Sequence, residues 1–185
     1  TVVLHASQAA NGNYTAGTQN ASFTVAKATP TVTWTTPSAI AYGTALSATQ
    51  LNASAGGVAG TMVYSPASGA ILAVGSQTLS VTFTPTDTAD YNSAAQTVVL
   101  TVNKSAVSVT GSSSIPVATY GDNVTITFTF TGGGVTPTGT TTIKDGATVL
   151  GTVSLTSGAA TMSSSTLSAG VHTVTAVYNG DSNYQ

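Results

Sequence analysis

Large apolar residues alternate with small polar ones along several short segments of the chain. The clearest segment sets threonines between the apolar residues Val124, Ile126, Phe128 and Phe130. Successive side chains of a β-strand point to opposite faces, so a period of two places these four residues on one face of a sheet. The same alternation recurs in residues 2–6, 79–83 and 174–178. The pattern predicts half-buried β-strands, and no segment has helical periodicity.

Turn-forming residue pairs separate these segments at intervals of about 8 to 12 residues. Glycine adopts the positive φ angles that tight turns require, so pairs that contain it predict where a strand reverses. The chain therefore reads as an all-β protein with about seven short antiparallel strands in each unit. The pairs are Tyr42-Gly43, Gly56-Gly57, Ser68-Gly69, Asp145-Gly146, Ser157-Gly158 and Asn179-Gly180.

The chain also repeats itself. At an offset of 77 residues, Tyr14 falls on Tyr91 and Lys27 falls on Lys104. A looser third copy places Tyr120-Gly121 at the position of Tyr42-Gly43. A period of this size is typical of an array of domains. We therefore predict the last two strands of a domain in residues 1–27, a complete domain in residues 28–104, and in residues 105–185 a domain that lacks its last strand.

Charged residues are rare. They make up 4% of the 185 residues, with three lysines, five acidic residues and a net charge of -2, whereas about a quarter of an ordinary domain is charged. So few cations cannot neutralise nucleic-acid phosphates, which excludes nucleic acid as a partner. No apolar run reaches the roughly 18 residues of a membrane-spanning helix. The absence of cysteine leaves packing, without disulfides, to stabilise the fold.

Several segments resemble bacterial Ig-like repeat domains: residues 28–34 (ATPTVTW), 41–48 (AYGTALSA) and 77–85 (QTLSVTFTP). Residues 137–139, 144–146 and 176–184 are similar to the group 3 version of these repeats. The resemblance implies tandem Ig-like antiparallel β-sandwiches, of which the first and last are incomplete. It also implies an extracellular or cell-surface location on a bacterium, where many copies act as a stalk, spacer or adhesive fibre. The family brings no common catalytic residues.

The residues themselves do not predict an enzyme or a cofactor. His5 and His172 occupy different positions in their repeats, and the chain has no glutamate to act as a general acid or base. A weak calcium site formed by Asp87, Asp90 and Asp181 is an alternative. Calcium needs six to eight oxygen ligands, whereas an Asx side chain in a turn usually binds its own backbone. We therefore predict no metal site.

Aromatic residues recur at one place in the repeat. Tyr14, Tyr91 and Tyr184 each end the loop before a last strand, and two roles are open: stacking on a sugar, or covering the open end of a sandwich. The second role is favoured. Trp34, the single tryptophan, is predicted to pack in the core or at a joint.

Five asparagines fit the N-x-Ser/Thr acceptor pattern for glycosylation. Serine and threonine are so abundant here that some matches are expected by chance, yet glycans would solubilise a surface poor in charge. Covalent glycans are therefore a predicted partner. The asparagines are Asn13, Asn20, Asn52, Asn103 and Asn123.

These observations predict a non-catalytic structural module of a bacterial fibre, filament or stalk. Copies are expected to join head to tail, with the strand of Ala21, Phe23 and Val25 completing the last unit of another copy. The alternative is one long polypeptide whose next strand fills that place. Other readings are a glycan- or protein-binding adhesin, which would use the loops of residues 55–60 and 132–138, and a spacer of a secreted enzyme.

Overall fold

The computed structural model describes every residue from Thr1 to Gln185, and it contains β-strands but no helix. This confirms the all-β fold class. The twelve strands are β1 (Val2–Gln8), β2 (Gly17–Phe23), β3 (Ile40–Ala41), β4 (Gly60–Ser65), β5 (Gly75–Pro85), β6 (Ala94–Asn103), β7 (Ser108–Ser113), β8 (Val124–Thr131), β9 (Thr140–Asp145), β10 (Thr148–Ser154), β11 (Ala159–Ser164) and β12 (Val174–Tyr178).

The chain divides into two compact units. The first comprises residues 1–33, 53–63 and 81–96, and the second comprises residues 34–52, 64–80 and 97–185. Strands β1 and β2 belong to the first unit, strands β3 and β7 to β12 belong to the second, and β4 to β6 have residues in both. The domain boundaries that the repeat suggests, after residues 27 and 104, stay a prediction.

In the first unit, β1 and β2 form an antiparallel hairpin in which Val2 pairs with Phe23 and Gln8 with Gly17. Both strands are exposed along their whole length. Leu4, for example, is 60% exposed. The prediction that residues 2–6 form a half-buried strand is therefore wrong as to burial, because no second layer of residues packs on either face of the hairpin.

Strands β3, β6, β5 and β4 form a four-stranded sheet in that order. Ile40 and Ala41 of β3 pair in parallel with Val102 and Asn103 of β6. The alternation along β5 and β6 has the predicted consequence from Leu79 and from Val98 onward, where every second residue is buried and its neighbours are more exposed. The buried residues are Leu79, Val81 and Phe83 on β5 and Val98, Leu100 and Val102 on β6.

Strands β7 to β12 form two three-stranded sheets with the orders β11-β8-β7 and β10-β9-β12. Both sheets contribute to one hydrophobic core, which contains Phe128 and Phe130 of β8, Ile143 of β9 and Ala160 of β11. Two sheets that share a core in this way make a β-sandwich. The predicted facing of β8 is confirmed, because Phe130 is 1% exposed while Thr129 beside it is exposed.

Two of the predicted turns make hairpins in this sandwich. Ser157 and Gly158 have φ angles of 50° and 77° and join paired residues Thr156 and Ala159. Two successive positive φ angles are typical of the type I′ turns that connect antiparallel strands tightly. The turn after Asp145 makes the second hairpin, which joins β9 to β10 with Asp145 paired to Thr148.

Candidate functional site: the tyrosine joint

Tyr184 lies at the centre of a cluster that we call the tyrosine joint: Tyr42, Gly43, residues 132–135 and Tyr184. Its ring is fully buried, at 0% exposure. The Tyr184 hydroxyl donates a hydrogen bond to the carbonyl oxygen of Val135 at 2.7 Å and accepts one from the backbone N-H of Gly134 at 3.0 Å. Both hydrogen-bonding capacities of the buried phenol are thus used, so its burial carries no unpaired polar group.

The ring of Tyr42 meets the ring of Tyr184 edge to face, with centroids 5.4 Å apart and an angle of 87° between the planes. This arrangement brings the positive edge of one ring to the negative face of the other. Tyr42 is 8% exposed, and its backbone N-H donates to the carbonyl oxygen of Asn103 at 2.8 Å. The contact therefore ties the turn after β3 to the last residues of the chain.

Two glycines allow the backbones to approach this closely. Gly43 has a φ of 90°, and a Cβ atom there would lie 2.6 Å from the carbonyl carbon of Gly133. A Cβ atom on Gly134 would lie 2.6 Å from the ring of Tyr42. Side-chain atoms do not fit at either position without a shift of the neighbouring backbone or ring.

Asp181 builds the loop that presents Tyr184. Its Oδ1 accepts the backbone N-H groups of Asn183 at 2.7 Å and Tyr184 at 2.8 Å. Its Oδ2 accepts the backbone N-H and the hydroxyl of Thr138, both at 2.9 Å. Burial opposes ionisation of the carboxyl group, but the four hydrogen bonds outweigh it and hold the pKa of Asp181 well below its usual range.

The same loop affects Tyr178 of β12. Burial, followed by the neighbouring carboxylate of Asp181, raises the pKa of Tyr178 to about 12. The Tyr178 hydroxyl donates to the carbonyl oxygen of Thr138 at 2.8 Å. Tyr178 therefore stays a neutral hydrogen-bond donor throughout the physiological pH range.

Lys104 connects the end of β6 to this loop. Its Nζ donates to the carbonyl oxygen of Asp181, and the next residue, Ser105, makes a parallel bridge with Tyr184. In that bridge the Ser105 N-H donates to the carbonyl oxygen of Asn183 at 3.0 Å, and the Gln185 N-H donates to the carbonyl oxygen of Ser105 at 3.0 Å. We call this lysine contact and parallel bridge the lysine bracket.

A second lysine bracket lies in the first compact unit. Lys27 Nζ donates to the carbonyl oxygen of Thr88 at 2.6 Å, and Ala28 makes a parallel bridge with Tyr91. The Ala28 N-H donates to the carbonyl oxygen of Asp90 at 2.9 Å. The 77-residue offset relates Lys27 to Lys104 and Ala28 to Ser105, so this part of the sequence repeat is also a repeat of contacts. The bridged tyrosines, Tyr91 and Tyr184, hold equivalent places in their repeats but lie further apart than this offset. Sequence reasoning noticed the two lysines but missed their role.

The three recurrent tyrosines differ in their surroundings. Tyr184 is buried, Tyr91 is half-buried and Tyr14 is 68% exposed. The covering role predicted for these residues holds for Tyr184, whose ring is inaccessible to a sugar. Trp34 packs as predicted: it is 7% exposed, its Nε1 donates to the carbonyl oxygen of Gln50 at 3.0 Å, and its ring meets Tyr64 edge to face at 5.3 Å.

The loop of residues 132–138 has contacts on one side and is exposed on the other. Gly132 to Gly134 pack against Tyr184, Gly43 and Tyr42, and Thr138 is bound to Asp181, while residues 132–136 are exposed. The role of this loop in adhesion stays a prediction. Gly56 and Gly57, in the other suggested loop, have no neighbour that an added Cβ atom would meet.

Two of the aspartates suggested for calcium, Asp87 and Asp181, bind backbone N-H groups. Asp87 Oδ1 accepts the N-H groups of Ala89 and Asp90 at 3.0 and 3.1 Å, much as Asp181 does in its own loop. Histidine, aspartate and glutamate residues form no group of three or more that would hold a metal ion. His5 Nδ1 lies 2.7 Å from Asn20 Oδ1, and His172 contacts Asp145 and Ser168.

The other predicted site residues are all accessible. Ala21 is exposed, Phe23 is 51% exposed and Val25 is 71% exposed. Their role as a donor strand stays a prediction. Glycosylation also stays a prediction, although all of its candidate residues are exposed: Asn13, Asn20, Asn52, Asn103 and Asn123.

A family is found for the part of the chain that holds the sandwich of β7 to β12 and Tyr184. Residues 109–185 match the bacterial Ig-like domain (group 3) family. This confirms the resemblance over that segment, whereas Tyr42 and Gly43 of the tyrosine joint lie outside it. Comparisons with curated proteins and with solved structures found no significant match to the chain. No helix of the structure is long and apolar enough to cross a membrane.

Bacterial Ig-like domains are generally non-catalytic, and they often occur in surface or extracellular proteins. The match therefore indicates a structural or adhesion-type module.

Proposed function

We propose that the chain is a structural module of an extracellular bacterial stalk or fibre, in which short joints hold successive Ig-like domains in a fixed relation. The tyrosine joint is the observation that carries this proposal. On the predicted boundaries, Tyr42 belongs to the domain of residues 28–104 and Tyr184 to the domain of residues 105–185. A buried contact between them restricts bending far more than a flexible linker would.

The covalent connection supports the same reading. Only residues 104–107 separate β6 from β7, and Lys104 and Ser105 of this segment are held by the lysine bracket. When the segment between two domains is short and held by contacts, each domain keeps a fixed orientation to its neighbour. Such a chain transmits force along its length, since each domain contacts its neighbours. The predicted work of the module is therefore to project whatever lies beyond it.

A spin-label distance measurement tests this coupling. The chain has no cysteine, so single cysteines introduced at the exposed positions Thr78 and Thr161 would carry the labels alone. We expect a narrow distance distribution in the parent protein and a broad one after Tyr42→Ser. The matched control is Tyr120→Ser, because Tyr120 occupies the equivalent repeat position but is 74% exposed. An unchanged, narrow distribution in Tyr42→Ser would contradict the proposal.

Head-to-tail assembly by strand addition is a second candidate. Strand β12 pairs only with β9, so its other edge is free, and a cavity of about 740 Å³ lies beside Val174, between residues 115–122 and 167–172. In residues 28–104, the strand that corresponds to β12 is β5, and the edge of β5 that is free in β12 is paired with β6. Ala21, Phe23 and Val25 precede the buried residues Val98, Leu100 and Val102 of β6 by the repeat offset.

A strand of the same polypeptide would fit that edge equally well, so the assembly state decides. If copies exchange strands, sedimentation velocity on the 185-residue chain will show species that grow with protein concentration, and Phe23→Asp will return the chain to a monomer. The control is Thr18→Asp, at the exposed far end of the same strand. A parent chain that stays monomeric at high concentration would exclude strand exchange between copies.

The adhesin alternative would use the loops of residues 55–60 and 132–138, and in the second loop the exposed residues are the ones that remain accessible beside the tyrosine joint. The flanking sequence of the full polypeptide would test the remaining alternative, a spacer of a secreted enzyme.

A further inference from the structure

His172 contacts two hydrogen-bond acceptors at once. Its Nδ1 lies 2.6 Å from the Oδ2 of Asp145, and its Nε2 lies 2.8 Å from the carbonyl oxygen of Ser168. A neutral imidazole carries one N-H and can donate to only one of these partners, whereas the imidazolium donates to both. The full set of contacts therefore belongs to the protonated side chain.

We propose that His172 is a pH-sensitive latch: the protonated imidazole binds Asp145 at the end of β9 and Ser168 of its own loop at the same time and so braces the loop of residues 165–173, and loss of the proton removes one of these two contacts and loosens the loop. This role is independent of the stalk proposal, because it concerns one domain and not the joint. It would set the width of the cavity beside β12 at a given pH.

The two anchors of the latch lie on different elements. Asp145 ends β9, and its turn is itself fixed by the hydrogen bond from the Gly146 N-H to the carbonyl oxygen of Thr173 at 3.0 Å. Ser168 lies in the middle of the loop that connects β11 to β12. On deprotonation one bond must fail. Loss of the bond to Ser168 removes the brace within the loop, and loss of the bond to Asp145 removes the tie between the loop and β9.

The loop that the latch braces forms part of the wall of the cavity beside β12. Residues 167–172 line one side of this cavity, and residues 115–122 line the opposite side. Deprotonation would therefore widen or reshape the cavity without unfolding the sheets, whose strands are held by their own ladder bonds.

Few charges compete for the imidazole. Asp145 is in direct contact with it, and both side chains are 23% exposed. Asp122 and Tyr120 lie in the opposite wall of the cavity, and Lys144 precedes Asp145 on β9. The hydrogen bond to Ser168, followed by the bond to Asp145, raises the pKa of His172 above its ordinary value, against a smaller opposing effect of burial.

The sign of the pH dependence follows. Because the pKa is higher in the folded chain than in the unfolded one, the stabilisation is fully present below the unfolded value of about 6.5 and is lost as the pH rises through the folded value. The loop should therefore be closed in mildly acidic surroundings and looser in alkaline ones.

Nuclear magnetic resonance across a pH titration tests the latch on the intact chain. We expect the imidazole protons of His172 and the backbone amides of Ala169 to Val171 to shift with a common midpoint above about 6.5, and the loop amides to lose order above that midpoint. His5→Gln, which removes the exposed histidine of β1, should leave this titration unchanged.

Two variants separate the latch from general loss of structure. Asp145→Asn should lower the midpoint, because it weakens the hydrogen bond at Nδ1 and removes the neighbouring negative charge. His172→Gln should abolish the step and leave the loop mobile at every pH. If His172→Gln fails to fold, the shift in Asp145→Asn still decides. A midpoint at or below the ordinary histidine value, or loop order that does not change across the titration, would overturn the proposal.

Discussion

Gly43 shows how a single residue specifies the tyrosine joint. Its positive φ angle and its close approach to Gly133 both require the absence of a side chain. Tyr42-Gly43 was recognisable in the sequence as a turn, but the neighbour of that turn was not. Gly133 lies about 90 residues further along the chain, and no local pattern identifies a contact over that separation.

Gly43→Ala is expected to destabilise the protein by about 1 to 3 kcal/mol, which combines backbone strain with overlap at the joint. Gly69→Ala is the matched control, because Gly69 has a φ of 87° but no neighbour within 4 Å of the added Cβ atom. Urea unfolding of both variants measures the difference. Equal losses of unfolding free energy would show that only the φ angle matters and that the joint does not resist the added atom.

At the scale of the element, alternation predicted the facing of the central strands well. From Leu79 in β5, Val98 in β6 and Ile126 in β8, every second side chain is buried, because the strand there has a packed layer on one side and solvent on the other. The same alternation in β1 gave a wrong prediction of burial. Periodicity shows which face of a strand could be buried, but it does not show whether another layer covers that face. Strand β3, with two residues, is too short to carry a periodic signal.

Phe130→Ala should cost about 3 to 5 kcal/mol, because a ring that is 1% exposed would be replaced by a cavity. Thr129→Ala, on the opposite face of β8, should cost less than about 1 kcal/mol. Chemical denaturation of the two variants provides the comparison. Similar costs at both positions would mean that the sandwich core does not lie on the face described here.

At the scale of the whole molecule, the sequence predicted a repeat, and the structure shows that the repeat includes specific contacts. The two lysine brackets could have been suspected from Lys27 and Lys104, which keep the same offset. The pairing of Tyr184 with Tyr42 could not, because the third copy diverges and the equivalent of Tyr42 in that copy, Tyr120, is exposed. The tyrosine joint depends on packing between distant segments rather than on local propensity.

Metal removal should leave the fold unchanged. The loops that hold Asp87 and Asp181 close on their own backbone N-H groups, so they need no cation to keep their shape. We expect the same melting temperature with and without a strong chelator, and no shift on adding calcium. A clear increase of the melting temperature in calcium would reveal a site that these hydrogen bonds do not explain.

Trp34 gives the molecule a built-in optical probe. It is the single tryptophan and is packed against Tyr64 in residues 28–104, so its fluorescence reports on that domain alone, while circular dichroism reports on all strands. If the tyrosine joint couples the two predicted domains, both signals should change at the same denaturant concentration. In Tyr42→Ser the fluorescence and circular dichroism curves should have different midpoints. The difference between the two midpoints would therefore measure how strongly the unfolding of one domain is coupled to that of the next.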